Sequence, residues 1–419
     1  MNYQKWNNII GWLVFTIATY TYVSTVEPTA SFWDCGEYIA TSYRLEVGHP
    51  PGAPTFLLVG RLFSMFAAPE NVAYMVNLVS ALSSAFTILF LFWTITALAK
   101  KLFGANGSSE ELSQGDVIAV FGSGVIGALA YTWSDTFWFS ATEGEVYALS
   151  SMITAITFWA ILKWESIAHE PKADRWIILI AYLVGLSIGI HLLNLLAIPA
   201  VAYVIYFKKF KPNLKGLLIA GIAGVITLGG IQSFIIPKVV SWAASFEFVM
   251  VNSFGLPFHM GSVIFIVLMM GAVVFGIQYT FKKNKPIWHT ALLSFLVLII
   301  GYSSFVLIMI RSNANTPIDE NNPENLVNLL SYLNREQYGD FPLLYGQYFN
   351  SPLDKEVPYL DGDPVYYPDA RTGKYELADD RKNSKPNYED EFKAFFPRMW
   401  SPKKNHVKAY KEWSNFEGK

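Results

Sequence analysis

Long apolar runs alternate with short polar stretches along the first 310 residues of the chain. A helix needs roughly 20 mostly apolar residues to cross about 30 Å of hydrocarbon. Nine runs meet or approach that length, so the pattern predicts about nine membrane spans. The predicted spans are 6–24, 71–99, 117–133, 146–164, 175–190, 192–207, 214–235, 260–280 and 287–310.

Two stretches need a separate interpretation. The 33 residues of 175–207 are too long for one span, and His191 and Asn194 interrupt them, so a tight hairpin at His191 is predicted. The stretch 53–67 is too short to cross and contains Arg61, which favours an interfacial or re-entrant helix. The predicted fold is therefore an all-α membrane protein, a polytopic bundle with an extracytoplasmic tail.

The positions of basic residues predict the orientation in the membrane. With the N-terminus in the cytoplasm, cytoplasmic loops contain thirteen Lys and Arg residues, and the opposite loops before Arg311 contain three. This distribution obeys the positive-inside rule, and the inverted topology violates it. With nine spans, residues 311–419 are predicted to lie outside the cytoplasm.

Composition agrees with this division into an apolar body and a polar tail. The chain is 53% hydrophobic and 15% charged, against about 25% charged residues in soluble domains. Of its 64 charged residues, 33 lie in the last 109 positions. We predict a transmembrane domain over 1–310 and an extracytoplasmic segment over 311–419. The net charge of −2 gives no reason to expect a nucleic acid partner, and the single cysteine, Cys35, excludes an intrachain disulfide.

The first outer loop contains candidate catalytic residues. Asp34 and Glu37 are three positions apart and would share one face of a helix. Neighbouring aromatic residues would partly desolvate these carboxylates, which suits a general base. The proline-rich turn that starts at His49 would hold this loop at the interface. The alternative is a solvated loop with ordinary charges.

Three more groups of polar residues have two interpretations each. Asp135, Glu143 and Glu145 in the second outer loop could bind a metal or a hydroxylated ligand, although the aromatic residues around them could be only an interface belt. His191 and Asn194, among apolar residues, would contact either a ligand or another part of the protein. In the last group, Arg311 could bind a phosphate or could extend from the interface into water. No Walker A or HExxH motif is present, so nothing suggests ATP hydrolysis or a zinc hydrolase.

Several segments resemble the GT-C superfamily of polytopic glycosyltransferases. They are more similar to a multispanning family common in Bacteroidetes, which includes the vertebrate transmembrane O-mannosyltransferase of plexin domains. The matching segments are FWDCGEYIATSYRLEVGHPPGAP (32–54), FSATEGEVYALSS (139–151), GLSIGIHLLNLLAIPA (185–200) and PIDENNPENLVNLLSYLNREQYGD (317–340).

The resemblance implies a membrane glycosyltransferase of GT-C type in a bacterial inner membrane, with residues 311–419 periplasmic. Its donor would be a polyprenyl-phosphate-linked sugar, with mannose the candidate, and its acceptor a protein Ser or Thr hydroxyl on the periplasmic side. The need for a divalent metal is left open, and no metal ligands are assigned. In this interpretation Asp34, with Glu37 as the alternate, is the catalytic carboxylate; the donor phosphate would meet Arg44, Arg61 and Arg311; and the substrate pocket would contain His49, Glu143, Glu145, Tyr147, His191 and Asn194.

The resemblance also implies that related chains continue into further spans and an outer domain. We therefore expect residues 1–419 to be the N-terminal part of such an architecture, in which part of the donor groove would be missing.

Two other functions are retained as alternatives. One is a lipid or solute transporter or flippase, and the other is a membrane scaffold of a secretion or assembly machine.

Overall fold

The computed structural model describes residues 2–104, 112–339 and 341–418. It is predominantly α-helical, as the sequence predicts. The helices up to residue 230 are α1 (Tyr3–Ser24), α2 (Cys35–Arg44), α3 (Pro54–Ser64), α4 (Val72–Gly104), α5 (Gln114–Thr132), α6 (Asp135–Thr142), α7 (Val146–Ile167), α8 (Arg175–Ile188), α9 (Ile198–Lys209) and α10 (Leu214–Gly230). The later helices are α11 (Ile236–Asn252), α12 (Met260–Lys282), α13 (Pro286–Tyr302), α14 (Val306–Ser312), α15 (Leu326–Leu333) and α16 (Lys404–Ser414).

All nine predicted spans fall on helical segments. Within the described residues, seven segments are long and apolar enough to cross a membrane. The other two predicted spans correspond to α1, which is not among the seven, and to α8, an apolar helix of 14 residues. The chain is thus a multi-pass membrane protein. The seven segments are Pro69–Phe103, Gln114–Thr132, Val146–Ile167, Leu192–Lys209, Leu214–Asn252, Met260–Lys282 and Pro286–Ser312.

The helical structure is interrupted where His191 lies in the apolar run, as the sequence predicts. Helix α8 ends at Ile188, and a 3-10 segment at Leu192–Ala197 precedes α9. The stretch predicted to be interfacial forms α3, a separate short helix with Pro54 at its first position, where the missing proline N–H costs no hydrogen bond.

The chain divides into two compact units. The first comprises Met1–Val240 and Ile266–Leu329, and the second comprises Ser241–Phe265 and Leu330–Lys419. In the first unit α8 and α13 approach closely because glycines face each helix backbone. A Cβ at Gly185 would clash with the carbonyl of Leu298, and one at Gly301 would clash with the backbone of Leu186. Small residues at such crossings allow the close backbone contact by which membrane helices associate.

One buried apolar cluster of the first unit packs α2 and α3 against α4 and α7. Tyr38 of α2 packs edge-on against Phe56 of α3, with ring centroids 5.3 Å apart. Both belong to a buried cluster that also contains Val76 of α4 and Leu149 of α7. This packing holds α2 and α3, in the loop after α1, against the N-terminal turns of α4 and α7.

The second unit contains short strands and a buried carboxylate. Glu247 is 1% exposed and accepts hydrogen bonds from the backbone N–H of His259 and from the N–H and hydroxyl of Ser262. The strands of the second unit are β1 (Tyr345–Gln347), β2 (Tyr359–Leu360), β3 (Val365–Asp369), β4 (Lys374–Asp379), β5 (Lys385–Pro386) and β6 (Lys393–Phe395). They form three antiparallel pairs, β1–β6, β2–β5 and β3–β4.

Candidate active site

Two acidic side chains at the start of α2 converge on one histidine. Asp34 is the residue before α2, and Glu37 lies in its first turn. The Nε2 atom of His49 lies 3.7 Å from Asp34 Oδ2, and its Nδ1 atom lies 3.0 Å from Glu37 Oε1. Because Asp34 and Glu37 are three residues apart, one helix face presents both carboxylates to the same imidazole.

Glu37 holds His49 through two hydrogen bonds. Its Oε1 atom accepts from the His49 backbone N–H at 2.6 Å as well as from the ring. Gly48 makes this approach possible, since a Cβ there would clash with Glu37 Oε1. Burial acts to raise the pKa of Glu37, but the two hydrogen bonds and the His49 charge outweigh it and lower that pKa below its ordinary value.

His49 is correspondingly easy to protonate. Its hydrogen bond with Glu37 raises the pKa of His49 above the ordinary value, against the opposing effect of burial. The charges of Glu37, Asp34 and Glu320 act in the same direction. The two carboxylates thus favour the protonated imidazole more than water does around a free histidine.

The two carboxylates differ in how far they are open to solvent. The Asp34 side chain is 57% exposed, whereas those of Glu37 and His49 are 26% and 20% exposed. No side-chain capping bond to α2 occupies Asp34. Asp34 is thus the carboxylate that an incoming molecule can reach, while Glu37 is committed to His49.

A third carboxylate, Glu145, lies at the start of α7 and is 5% exposed. Burial raises the pKa of Glu145 to about 7, and the charges of Asp34 and Glu143 contribute to this rise. Glu143 is also buried, which raises its pKa, and its Oε2 atom has no hydrogen-bond partner within the described residues. Glu145 is therefore close enough to Asp34 and His49 for their charges to act on it, and Glu143 lies beside Glu145.

Asn77 of α4 joins the loop after α1 to the loop after α6. It is fully buried, and its Nδ2 atom donates to the carbonyls of Glu27 and Thr29 at 2.7 and 2.9 Å. Its Oδ1 atom lies 3.7 Å from the thiol of Cys35, the first residue of α2. On its other side Asn77 lies so close to Gly144 that a Cβ on that glycine would clash with it.

The predicted phosphate-binding arginines lie at the opposite end of α2. Arg61 donates to the carbonyl of Tyr43, and Arg311 donates to the carbonyls of Arg44 and Leu45. Cations at the last carbonyls of a helix satisfy unpaired acceptors and interact favourably with the helix dipole. At 1.5 Å per residue the two ends of α2 are about 15 Å apart, so the structure does not bring these arginines to Asp34.

A segment that follows the last predicted span contributes to the same loop. The backbone of Val47 pairs in a parallel bridge with Asp319. Its N–H donates to the carbonyl of Ile318 at 2.9 Å, and its carbonyl accepts from the N–H of Glu320 at 3.0 Å. This pairing places the charge of Glu320 near His49, two residues beyond Val47.

The remaining predicted pocket residues form a second group, between α7 and the break after α8. The rings of Tyr147 and His191 lie 5.3 Å apart, and His191 Nδ1 accepts from the backbone N–H of Leu193 at 3.2 Å. Asn194 is fully buried, and neither polar atom of its side chain has a hydrogen-bond partner within the described residues. Buried amides without a partner are rare in native structures and are compatible with a ligand site.

The three carboxylates considered for a metal or a hydroxylated ligand do not come together. Asp135 begins α6 and is exposed, whereas Glu143 and Glu145 are buried beyond the other end of that helix. Across residues 2–104, 112–339 and 341–418, no group of three or more His, Cys, Asp and Glu side chains is arranged to hold a metal ion.

Comparison with known proteins found a family model that matches this loop and the helices that follow it. The family model described as the Protein O-mannosyl-transferase TMEM260 N-terminal domain matches residues 34–214, from Asp34 through α9. This chain is related to the TMEM260 protein O-mannosyl-transferases. The relationship confirms the resemblance found in the sequence.

Two curated TMEM260 proteins show how far the similarity extends. Protein O-mannosyl-transferase tmem260 of Dictyostelium discoideum is 24% identical over 238 residues, which is 54% of this chain and 26% of the relative. Protein O-mannosyl-transferase TMEM260 of Mus musculus is 25% identical over 175 residues, which is 42% of this chain and 22% of the relative. The chain thus spans about a quarter of the length of the TMEM260 proteins it matches. A family of unknown function, DUF8416, matches residues 339–419, and no solved structure matches the chain.

Sequence reasoning missed three residues that shape this site. Gly48 lies within the matching segment 32–54 and Asn77 lies near the start of a predicted span, but only the fold shows that Gly48 makes room for Glu37 and that Asn77 joins two loops. Glu320 lies in the quoted segment 317–340, more than 250 residues from His49 in sequence. No local sequence pattern could have placed Glu320 near His49.

Proposed function

We propose that this chain acts as a membrane glycosyltransferase of GT-C type, in which Asp34 is the general base. It would transfer a sugar, with mannose the candidate, from a polyprenyl-phosphate donor to a Ser or Thr hydroxyl of a protein. The observation that carries the proposal is the accessible Asp34 carboxylate beside a histidine that Glu37 fixes in place.

The chemistry requires one accessible base. As the acceptor oxygen bonds to the anomeric carbon, the bond from that carbon to the phosphate oxygen breaks and the hydroxyl proton must be taken up. Asp34 can accept this proton because its side chain is 57% exposed. Glu37 is the weaker candidate, since both its hydrogen bonds to His49 would have to be given up. We assign Glu37 the role of positioning His49.

An apolar groove could hold the polyprenyl chain of the donor. It has a volume of about 490 Å³ and lies along α4, α5 and α7. Ser151 and Thr154 of α7 line it, and the nearer of them is one helical turn beyond Tyr147. From Glu145 to Ser151 the axial distance along α7 is about 9 Å, so a lipid in this groove could present its phosphate near the buried acids. The groove is also lined by Thr87, Leu91, Ile95, Gly127, Tyr131, Ala155, Phe158 and Leu193.

The relationship to the TMEM260 proteins supports the reaction class. Those relatives are named protein O-mannosyl-transferases, and the matched region contains Asp34, Glu37, His49 and Glu145. Because the chain spans about a quarter of their length, the sugar, the acceptor and the activity itself are proposed for this chain. The periplasmic side is proposed from the distribution of basic residues.

A transfer assay tests the proposal directly. The chain would be reconstituted in liposomes with polyprenyl-phosphate mannose and a Ser/Thr-rich acceptor protein, and glycosylated product would be measured by mass spectrometry. Asp34→Asn should lower the rate by at least 100-fold, within the range that general acid–base catalysis supplies. Asp135→Asn is the matched control, since it alters an exposed aspartate of the second outer loop, and should leave the rate within about twofold.

Two results would overturn the assignment. Asp34→Asn with unchanged transfer and an unchanged unfolding temperature would remove Asp34 from the reaction. Solute or lipid flux through the wild-type protein, without any glycosylated product, would favour a transporter.

A further inference from the structure

A second site is suggested by a cleft of about 830 Å³ at the other end of the helices that bear the candidate active site. Asp34 follows α1 and Glu145 precedes α7, whereas the cleft lies along the first half of α1 and the last turns of α4 and α7. Lys163 of the cleft is 18 residues from Glu145 along the chain, or about 27 Å along the helix. The cleft is therefore separate from the candidate active site at Asp34, Glu37 and His49.

The cleft carries a net positive charge. Its lining contains four lysines and one glutamate, and the glutamate, Glu165, pairs with Lys101. In the part of the chain that the structure describes, no carboxylate pairs with Lys100, Lys163 or Lys208. These three lysines come from α4, α7 and α9 and border one cavity. Lysines clustered around one cavity attract an anion that can contact two or more of them.

Three tryptophans form an aromatic part of the cleft wall. Trp93 lies between Trp12 and Trp159, with ring centroids 6.2 Å from the first and 6.0 Å from the second. The Trp12 side chain is 48% exposed. Because all three lie within predicted membrane spans, a ligand that covers this wall needs a hydrocarbon chain, which a small hydrophilic anion lacks.

Two buried polar atoms in the lining, Asn7 Oδ1 and Trp93 Nε1, lack a hydrogen-bond partner within the described residues. Asn7 is 8% exposed, and its Oδ1 atom accepts no hydrogen bond within the described residues. Buried acceptors are usually paired in native structures, because leaving one unsatisfied is unfavourable. A ligand with a hydroxyl group beside its phosphate could supply the missing donor.

We infer that this cleft binds an anionic phospholipid. The phosphate would contact Lys100, Lys163 and Lys208, and an acyl chain would lie against the tryptophan wall. Lysines at helix ends are common on the cytoplasmic side of membrane proteins. What sets this cluster apart is that its lysines border one cavity together with an aromatic wall and the unpartnered Asn7. A phosphatidylglycerol headgroup fits these features, since it combines a phosphate with hydroxyl donors.

The test measures lipid retention by the purified chain. Native mass spectrometry of the protein in detergent would compare phosphatidylglycerol with phosphatidylcholine, and glycerol phosphate would serve as the free-phosphate probe. We expect phosphatidylglycerol to bind at least tenfold more tightly than either. The double variant Lys100→Gln with Lys163→Gln should weaken phosphatidylglycerol binding about tenfold, since each lysine contributes a substantial share of anionic-lipid affinity.

A matched variant separates the cleft from general charge. Lys282→Gln with Lys283→Gln removes the same two charges from exposed positions outside the cleft, and should leave binding within about twofold. The proposal is overturned if both double variants lose binding equally or if neither loses it. It is also overturned if phosphatidylcholine is retained as well as phosphatidylglycerol, or if glycerol phosphate binds as tightly as the lipid. Measuring the unfolding temperature of each variant shows that a loss of binding is not a loss of fold.

Discussion

Replacing Glu37 by Gln should loosen the first outer loop without altering its shape. Glu37 accepts two hydrogen bonds from His49, at 2.6 Å from the backbone and 3.0 Å from the ring. Bonds to a charged group contribute about 1.5–3 kcal/mol each, against about 1 kcal/mol for neutral ones. Because Gln keeps a neutral acceptor, we expect a loss of about 1–3 kcal/mol in the free energy of unfolding.

The effect should depend on pH with a defined sign. The pKa of His49 is raised in the folded state, so its contribution to stability is present at low pH and is lost as the pH rises through that raised pKa. The pKa of Glu37 is lowered, so its contribution is lost only as the pH falls through that lowered value. Between these limits the difference between wild type and Glu37→Gln should be largest, and it should shrink on either side.

Unfolding of the purified chain in detergent, followed by tryptophan fluorescence at several pH values, measures this difference. Asp34→Asn is the matched control because it also neutralises a carboxylate beside His49, but an exposed one at 3.7 Å. It should cost less than about 0.5 kcal/mol, as for an exposed ion pair. Equal losses for the two variants, or a Glu37→Gln loss that does not change with pH, would refute this account of the loop.

Three further predictions follow from the site. Burial raises the pKa of Glu145 to about 7, so the stability of the wild type should fall as pH rises from the ordinary glutamate value toward 7, and Glu145→Gln should flatten that slope in the same unfolding assay. Arg311→Gln should lower the free energy of unfolding by about 1–2 kcal/mol, because its contacts with the last carbonyls of α2 are lost. Arg44→Gln, at an exposed side chain, should change that free energy by less than about 0.5 kcal/mol. Similar losses for the two variants would contradict the capping role of Arg311. Glu320→Gln should lower the pKa of His49 in an NMR titration, and an unchanged pKa would show that the 318–320 segment does not act on the site.

Periodicity and local spacing predicted most of the fold. Apolar runs of membrane length became helices, because a segment in lipid must satisfy its backbone hydrogen bonds internally. The polar His191 marked a true break between α8 and α9, and the proline-led stretch at Pro54 formed a separate helix. The spacing of Asp34 and Glu37 likewise predicted that they share a face, because that depends only on helical geometry.

Contacts between distant segments could not be predicted in this way. An arginine near an interface can reach a phosphate, water or a helix end, and only the fold shows that Arg61 and Arg311 contact the last carbonyls of α2. The backbone pairing of Val47 with Asp319 leaves no side-chain pattern, so the sequence could not place Glu320 beside His49. Close approaches, such as that of Glu37 to Gly48, are equally invisible before the loop is folded.

A structure of the chain with a non-transferable polyprenyl-phosphonate sugar analogue would test the proposed site most directly. The account predicts that the lipid lies in the groove lined by Ser151 and Thr154, and that the anomeric carbon is close enough to Asp34 for an acceptor hydroxyl to fit between them. A sugar bound elsewhere, with Asp34 directed into open water, would contradict it.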